Sequence, residues 1–176
     1  MWITIVAVLA IAIVGFLFYV NGRPDSCNFQ RSVHVNAPAE KVFPLINDIR
    51  ASVKWNPFVK KDPNIKSTYS GPESGPGAKY AFEGNNQVGT GSCEIVESKP
   101  NEYVNMRLLM IKPFAADNKV VFTLKPQGGG TFVTWAMEGK VPFIAKIMHT
   151  IMNMDKMIGG EFDAGLAEMK AMAEAA

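Results

Sequence analysis

The sequence predicts an α+β domain in which a curved antiparallel sheet packs around a long C-terminal helix, preceded by one transmembrane helix. Three observations lead to this fold class. Residues 2–20 carry no charged side chain, residues 65–140 contain a run of short alternating segments, and residues 143–173 place apolar side chains at steps of three and four. The last two patterns are those of strands with one apolar face and of an amphipathic helix.

Residues 1–21 are interpreted as the transmembrane helix. Residues 2–20 would form a helix about 28 Å long, which is close to the thickness of the bilayer hydrocarbon. Trp2 and Tyr19 stand at its two ends, where interfacial aromatic anchors are found. A cleaved signal peptide is the alternative, with residues 20–22 as a small-residue cleavage site. We favour the uncleaved anchor because no Lys or Arg precedes the apolar run, which is also longer than a typical signal-peptide core.

The anchor predicts a single-pass membrane protein. Arg23 and Arg31 follow the segment, and the positive-inside rule would place the domain in the cytoplasm. One arginine next to the membrane does not decide the side, which stays open. Residues 22–28 are interpreted as a polar linker, too short to let the domain leave the membrane surface, and residues 29–174 as the folded domain.

Composition excludes several classes of function. The formal net charge of the 176-residue chain is +2, so nothing favours nucleic acid as a partner. Cys27 and Cys93 have no metal or redox spacing. His34 and His149 fall on the polar faces of their predicted elements, without a partner at metal-ligand or triad spacing. We therefore expect solvated histidines, no metal, no cofactor and no catalytic residue among them.

The first third of the domain reads as one strand and two helices. Residues 29–35 alternate as a strand does. Pro38 opens a helix at a position that tolerates proline, and Pro44 is expected to kink it. A second short helical piece, residues 50–54, leads into residues 55–58.

Successive strands follow. Turn-rich stretches of Gly and Pro separate them, notably residues 71–77 and 128–130. Together they predict an antiparallel meander with one apolar face. The predicted strands are residues 65–70, 78–84, 88–98, 102–112, 119–125 and 131–140.

Residues 143–173 are predicted as one helix about 45 Å long, whose apolar face needs a large concave surface to cover it. Asp155 falls within the apolar stripe. Its carboxylate either reaches solvent at the helix edge or points into a ligand cavity.

Three glycines, Gly159, Gly160 and Gly165, lie near the middle of this helix. They indicate either a kink with close packing or an internal space between helix and sheet. Gly89 and Gly91 remove side chains from a facing strand. We adopt the internal space as the working hypothesis.

The chain resembles a known superfamily in both element order and local motifs. The motifs that carry the resemblance are residues 36–43, Trp55-Asn56-Pro57-Phe58, and residues 75–85, 130–135 and 154–159. With these it is similar to the START-like superfamily, also called the polyketide cyclase/dehydrase and lipid transport superfamily (SRPBCC), and most of all to its bacterial "polyketide cyclase" group. The resemblance implies a helix-grip fold whose cavity holds lipids, sterols, isoprenoid quinones or polyketides; a few members catalyse cyclisation or dehydration.

These expectations favour a membrane-anchored, non-catalytic carrier or sensor whose partners are a hydrophobic small molecule or lipid and the membrane. We expect Asp155 to orient a polar head group, with Trp55 and Phe58 near the cavity mouth. The enzyme alternative needs a cavity carboxylate or phenol, and no catalytic pair is visible among its candidates, Asp155, Glu83, Glu138 and Tyr80. The expected cavity lining is Tyr80, Phe82, Met106, Met110, Trp135 and Met154.

Overall fold

The structure, a computed structural model, describes residues 2–175. These residues form six helices and seven strands, which follow each other in the order that the sequence predicts, with two helices more than expected. The elements are α1 (Trp2–Asn21), β1 (Ser26–Val35), α2 (Ala39–Asn47), α3 (Ile49–Trp55), α4 (Pro57–Lys60), β2 (Lys66–Ser70), β3 (Lys79–Glu83), β4 (Thr90–Lys99), β5 (Tyr103–Lys112), β6 (Ala116–Gln127), β7 (Gly130–Lys140), α5 (Phe143–Ile151) and α6 (Met154–Ala175).

All strands belong to one seven-stranded antiparallel sheet in the order β1-β7-β6-β5-β4-β3-β2. Consecutive strands from β2 to β7 pair as a meander, and β1 closes the outer edge by pairing with β7 from Ser26↔Lys140 to Val35↔Thr131. Alternate side chains such as Met106, Phe122 and Trp135 are buried on one face, which α6 covers. The predicted α+β, helix-grip architecture is confirmed.

Side-chain caps set the boundaries of the short helices. The Asp48 carboxylate accepts hydrogen bonds from the backbone N–H of Arg50 (2.8 Å) and Ala51 (3.1 Å), which starts α3. The Asn56 side chain accepts from the backbone N–H of Phe58 (3.0 Å) and starts α4, a single turn that the sequence analysis missed. These caps therefore fix the residues at which α3 and α4 begin.

The single C-terminal helix predicted for residues 143–173 is wrong, because the chain forms two helices there. Met152 adopts an extended conformation (φ −115°, ψ 143°), and the Asn153 side chain accepts a hydrogen bond from Lys156 N–H (2.9 Å). Asparagine favours the N-cap over the helix interior because its side chain competes for backbone N–H groups. The cap therefore starts a new helix, α6.

The break separates two different faces. In α6, Phe162, Leu166 and Met169 are buried against the sheet, and burial of each such side chain contributes about 1.5–3 kcal/mol. In α5, the expected apolar face points outward, and its Ile144 and Ile151 are 51% and 68% exposed. Lys146, predicted on the polar side, is instead 5% exposed.

The α1 helix carries exposed apolar side chains along its length, and only Val20 at its end is buried. It is the only helix within residues 2–175 that is long and apolar enough to cross a membrane. Four residues separate it from β1, so the linker is shorter than the predicted 22–28. Lys146 forms an ion pair with Asp25 and donates a hydrogen bond to the Asn21 carbonyl (3.4 Å), which fastens the end of α1 to α5.

Candidate functional site

A cavity of about 250 Å³ lies between the concave face of the sheet and helices α3, α4 and α6. Its lining is almost entirely apolar, as is typical of small-molecule sites. Leu108, Val120, Phe122 and Phe162 line it without having been singled out from the sequence. The structure brings together around it the predicted residues Trp55, Phe58, Tyr80, Phe82, Met106, Met110 and Trp135.

The inner wall of the cavity is a cluster of aromatic rings. The Trp135 ring stacks on Phe162 with ring centroids 4.1 Å apart, and the Trp55 ring meets Trp135 edge-on at 5.6 Å. The Trp55 indole N–H donates to the Leu45 carbonyl (2.8 Å). Trp55 is therefore a deep, 1% exposed wall residue, and its predicted place near the mouth is corrected.

Two polar atoms in this wall have no hydrogen-bond partner. The Tyr80 hydroxyl and the Trp135 indole N–H are both buried and unpaired. Leaving a buried donor unpaired costs about 1–3 kcal/mol, so such atoms are rare in a finished core. Both atoms belong to side chains that line the cavity.

Burial also fixes the protonation of the lining. Desolvation by burial raises the pKa of Tyr80, and the nearby Ser67 side chain offsets part of this rise. Burial raises the pKa of Cys93 to about 12, and its thiol contacts the Met106 sulfur at 3.8 Å. At neutral pH the cavity therefore presents a neutral phenol and a neutral thiol, which are donors rather than bases or nucleophiles.

The Asp155 carboxylate lies outside the cavity, which corrects its predicted role. Its oxygen is 2.9 Å from the Arg31 guanidinium, and its side chain is 65% exposed. The hydrogen bond from Arg31 lowers the pKa of the Asp155 carboxyl. The helix break explains the difference, because Asp155 stands in the first turn of α6, where the helix dipole stabilises a carboxylate. Met154, half-buried in the same turn, is also absent from the lining.

The other carboxylates proposed for catalysis do not reach the cavity either. Glu83 is exposed at the end of β3, and Glu138 pairs with Lys119 on the outer face of the sheet. No Asp, Glu, Lys, Arg or His belongs to the lining formed by residues 2–175. In the same range, no group of three or more His, Cys, Asp or Glu side chains has a geometry that would hold a metal ion.

The glycines do not create the cavity, so that interpretation is wrong. A Cβ atom on Gly165 would stand 2.8 Å from Pro57 Cδ and 2.9 Å from Trp135 Cζ3. A Cβ on Gly159 would overlap the Arg31 guanidinium, and one on Gly91 would overlap the Leu109 carbonyl. These glycines permit close packing. The space instead lies beside other side chains of the lining, such as Val120 and Leu108.

The cavity has part of its half-buried lining at one end of the sheet. Its half-buried lining side chains include Val88, Met110, Asn118, Met137 and Ile158. The strand register places the first four at the end where β1 begins, because Asn118 pairs with Gly139 and Ser26 with Lys140. This end, which we call the anchor end, is also where α1 joins the domain. Asn118, missed in the sequence, adds an amide to the cavity rim.

Neither histidine lines the cavity, but neither is simply solvated as predicted. His34 is half-buried and its Nε2 is 2.9 Å from the Gln127 carbonyl oxygen. His149 is half-buried with its ring 6.1 Å from that of Phe29. Burial and the nearby Arg23 charge lower the pKa of His149.

This shift predicts a small loss of stability on acidification. As the pH falls below about 6.5, His149 becomes protonated in the unfolded chain but stays neutral in the folded one. Protonation therefore stabilises the unfolded state and lowers the free energy of unfolding. Above that pH the imidazole is neutral in both states and contributes nothing. The decrease in melting temperature from about pH 7 to about pH 5 should therefore be larger for the wild type than for His149→Gln. Equal differences for the two proteins would contradict the assignment.

Comparison with known proteins agrees with this geometry. A family model described as polyketide cyclase / dehydrase and lipid transport matches residues 26–174. No curated protein sequence matches the chain at significant similarity.

Several solved structures share the fold. A protein from Chromobacterium violaceum has 18% sequence identity and a TM-score of 0.58, with 86% of this chain and 99% of that one covered. An Aha1 dimer from Colwellia psychrerythraea has 16% sequence identity and a TM-score of 0.59, with 84% of this chain and 96% of that one covered. The di-domain ARO/CYC StfQ of the steffimycin biosynthetic pathway has 12% sequence identity and a TM-score of 0.62, with 86% of this chain and 51% of that one covered. At these identities the similarity concerns the fold alone.

Proposed function

Because the chain belongs to the polyketide cyclase/dehydrase and lipid transport family, we propose that it is a membrane-anchored protein that holds a hydrophobic small molecule or lipid in its cavity without transforming it. The observation that carries this proposal is the pair of unpaired buried donors, Tyr80 and Trp135, in an otherwise apolar cavity. A ligand oxygen would satisfy donors that the protein itself leaves unpaired.

The cavity also limits the chemistry of this ligand. Its apolar lining favours rings or alkyl chains, and about 25 cal/mol is gained per Å² of apolar surface removed from water. Its unpaired groups favour a carbonyl or hydroxyl oxygen over a charged group, because no cation belongs to the described lining. The proposed ligand is a neutral apolar molecule with at least one hydrogen-bond acceptor.

The proposed anchor is α1, retained in the mature protein. A signal sequence near the N-terminus would have the same length and composition. Two contacts support retention: Val20 is buried, and Lys146 reaches the Asn21 carbonyl. Residues discarded with a signal peptide have no role in the folded domain, whereas these residues close one side of α5.

An enzyme of the cyclase or dehydratase kind is the less favoured alternative. Acid–base chemistry needs a titratable group with a pKa near the working pH. The titratable groups of the described lining are Tyr80 and Cys93, and burial moves the pKa of each upward, away from neutrality. A neutral phenol can still polarise a carbonyl, which suits binding as well as it suits catalysis.

Binding is tested by quenching of the cavity tryptophans. In a Trp2→Phe variant of the full chain, a brominated long-chain ketone should quench the emission of Trp55 and Trp135, which lie in the wall. Tyr80→Phe should weaken binding of the ketone by up to about tenfold, since one neutral hydrogen bond contributes about 0.5–1.5 kcal/mol. The matched brominated alkane, which has no acceptor, should bind both proteins equally.

The control variant is Tyr103→Phe, because the Tyr103 hydroxyl pairs with Glu97 outside the cavity. It should behave as the wild type does. Absence of quenching in the wild type, or equal binding of ketone and alkane by the wild type, would contradict the proposal.

A further inference from the structure

The anchor end of the domain carries exposed apolar side chains on two elements that are distant in sequence. On α5, Ile144, Met148 and Ile151 are 51%, 38% and 68% exposed and follow each other at steps of four and three. On the hairpin between β5 and β6, Ile111 and Phe114 are 66% and 45% exposed. We call these five side chains the seating face.

Strand register places both elements at the same end of the sheet. Met110 pairs with Ala116 across the β5–β6 hairpin, and Lys140, the last residue before the α5 connection, pairs with Ser26 at the start of β1. The end of α1 and the linker after it are fastened here as well, since Lys146 donates to the Asn21 carbonyl (3.4 Å) and Val141 N–H donates to the Asp25 carbonyl (2.7 Å). The α5 part of the seating face therefore adjoins the helix proposed to enter the membrane, and the hairpin part lies at the same end of the sheet.

Among the described charged side chains at this end that lie outside ion pairs, the basic ones outnumber the exposed carboxylate of Glu83. Arg23, Lys112 and Lys140 are exposed, and within residues 2–175 none of them pairs with a carboxylate. Arg23 instead lies over the Tyr19 ring, 5.7 Å from its centroid, beside the end of α1. Basic side chains that border exposed apolar ones are typical of helices lying in the headgroup layer of a bilayer.

We propose that the seating face lies in the headgroup region of the bilayer that α1 enters, so that the mouth of the cavity faces the membrane. The proposal rests on the anchoring role given to α1 above. The inward-turned Lys146 explains the arrangement of α5: its polar side holds α1 and Asp25, and its apolar side is left for lipid. An apolar ligand would then pass between bilayer and cavity without entering water. Exposure to water would cost the ligand about 0.8 kcal/mol for each CH₂ group.

Depth-dependent quenching tests this placement on the full chain. Single cysteines, in a Cys27→Ala, Cys93→Ala background, carry an environment-sensitive fluorophore at Met148, Leu9 or Val96. Met148 reports the seating face and Leu9 reports the anchor. Val96, 56% exposed on β4, is the control apolar side chain. The protein is reconstituted in vesicles of equal parts phosphatidylcholine and phosphatidylglycerol.

We expect a nitroxide near the lipid headgroup to remove most of the emission at Met148, a nitroxide deep in the acyl chain to remove most of it at Leu9, and neither to affect Val96. Adding Ile144→Glu and Ile151→Glu should abolish quenching at Met148 and leave Leu9 unchanged. Quenching at Leu9 without quenching at Met148 would overturn the seating and leave the anchor intact. Absence of quenching at both would overturn anchor and seating together. A blue-shifted, unquenched label at Met148 would indicate a protein partner instead and would also overturn the proposal.

Discussion

Gly165→Leu is expected to destabilise the domain by about 3 kcal/mol, at or above the upper end of the range for overpacked cores. The reason is the absence of free space: a Cβ there would stand 2.8 Å from Pro57 Cδ and 2.9 Å from Trp135 Cζ3. Both neighbours are rigid rings, and Trp135 is held by its stack on Phe162. The measurement is urea unfolding of the variant and wild type under the same conditions.

The same helix offers a matched control. A Cβ on Gly160 would meet nothing within 4 Å, so Gly160→Leu should keep or raise the stability through its helix propensity, by up to about 1 kcal/mol. Equal stability of the two leucine variants would show that the contacts of Gly165 with Pro57 and Trp135 do not constrain this site.

Val120→Trp is expected to weaken ligand binding at least tenfold, which corresponds to about 1.4 kcal/mol. Val120 lines the cavity between Met106 and Met137, its partners on the two neighbouring strands. The indole would occupy the space of the ligand, and the two flexible methionine side chains can move to accept it. The loss is measured by equilibrium dialysis against the brominated ketone, because the introduced indole would add its own emission to the quenching titration.

Val121→Trp is the control, because Val121 does not line the cavity and lies on the opposite face of the same strand. It introduces the same side chain one residue away and should leave the affinity unchanged. Similar affinities for both tryptophan variants would show that the quenching ligand binds somewhere other than the cavity.

Alternation along the strands made the sheet and much of the cavity lining predictable. Side chains on one face of an antiparallel sheet share one environment, so Met106, Phe122 and Trp135 could be assigned to the core from their spacing alone. Asn118 obeys the same rule, since it lies two residues before Val120 and four residues before Phe122. It was missed because the predicted strand began at residue 119, whereas β6 begins at Ala116.

Other features depended on contacts that sequence spacing does not show. Apolar steps of three and four continue through Asn153, so periodicity gave no sign of the break between α5 and α6. Asp155 stands in the apolar stripe, yet its partner Arg31 is 124 residues away in the chain. The unpaired atoms of Tyr80 and Trp135 are likewise a tertiary property, because a hydroxyl or indole N–H is paired or unpaired only by its neighbours in the fold.

Native mass spectrometry of the full chain, extracted from membranes with its bound molecules, tests the central claim most directly. We expect the wild type and Val121→Trp to carry one neutral apolar molecule with at least one oxygen, and Val120→Trp to be free of it. Comparison of the two variants separates cavity contents from lipid that adheres to α1, because α1 is the same in both. A wild-type protein without a bound molecule, or the same bound molecules on both variants, would contradict the claim that this cavity holds a ligand.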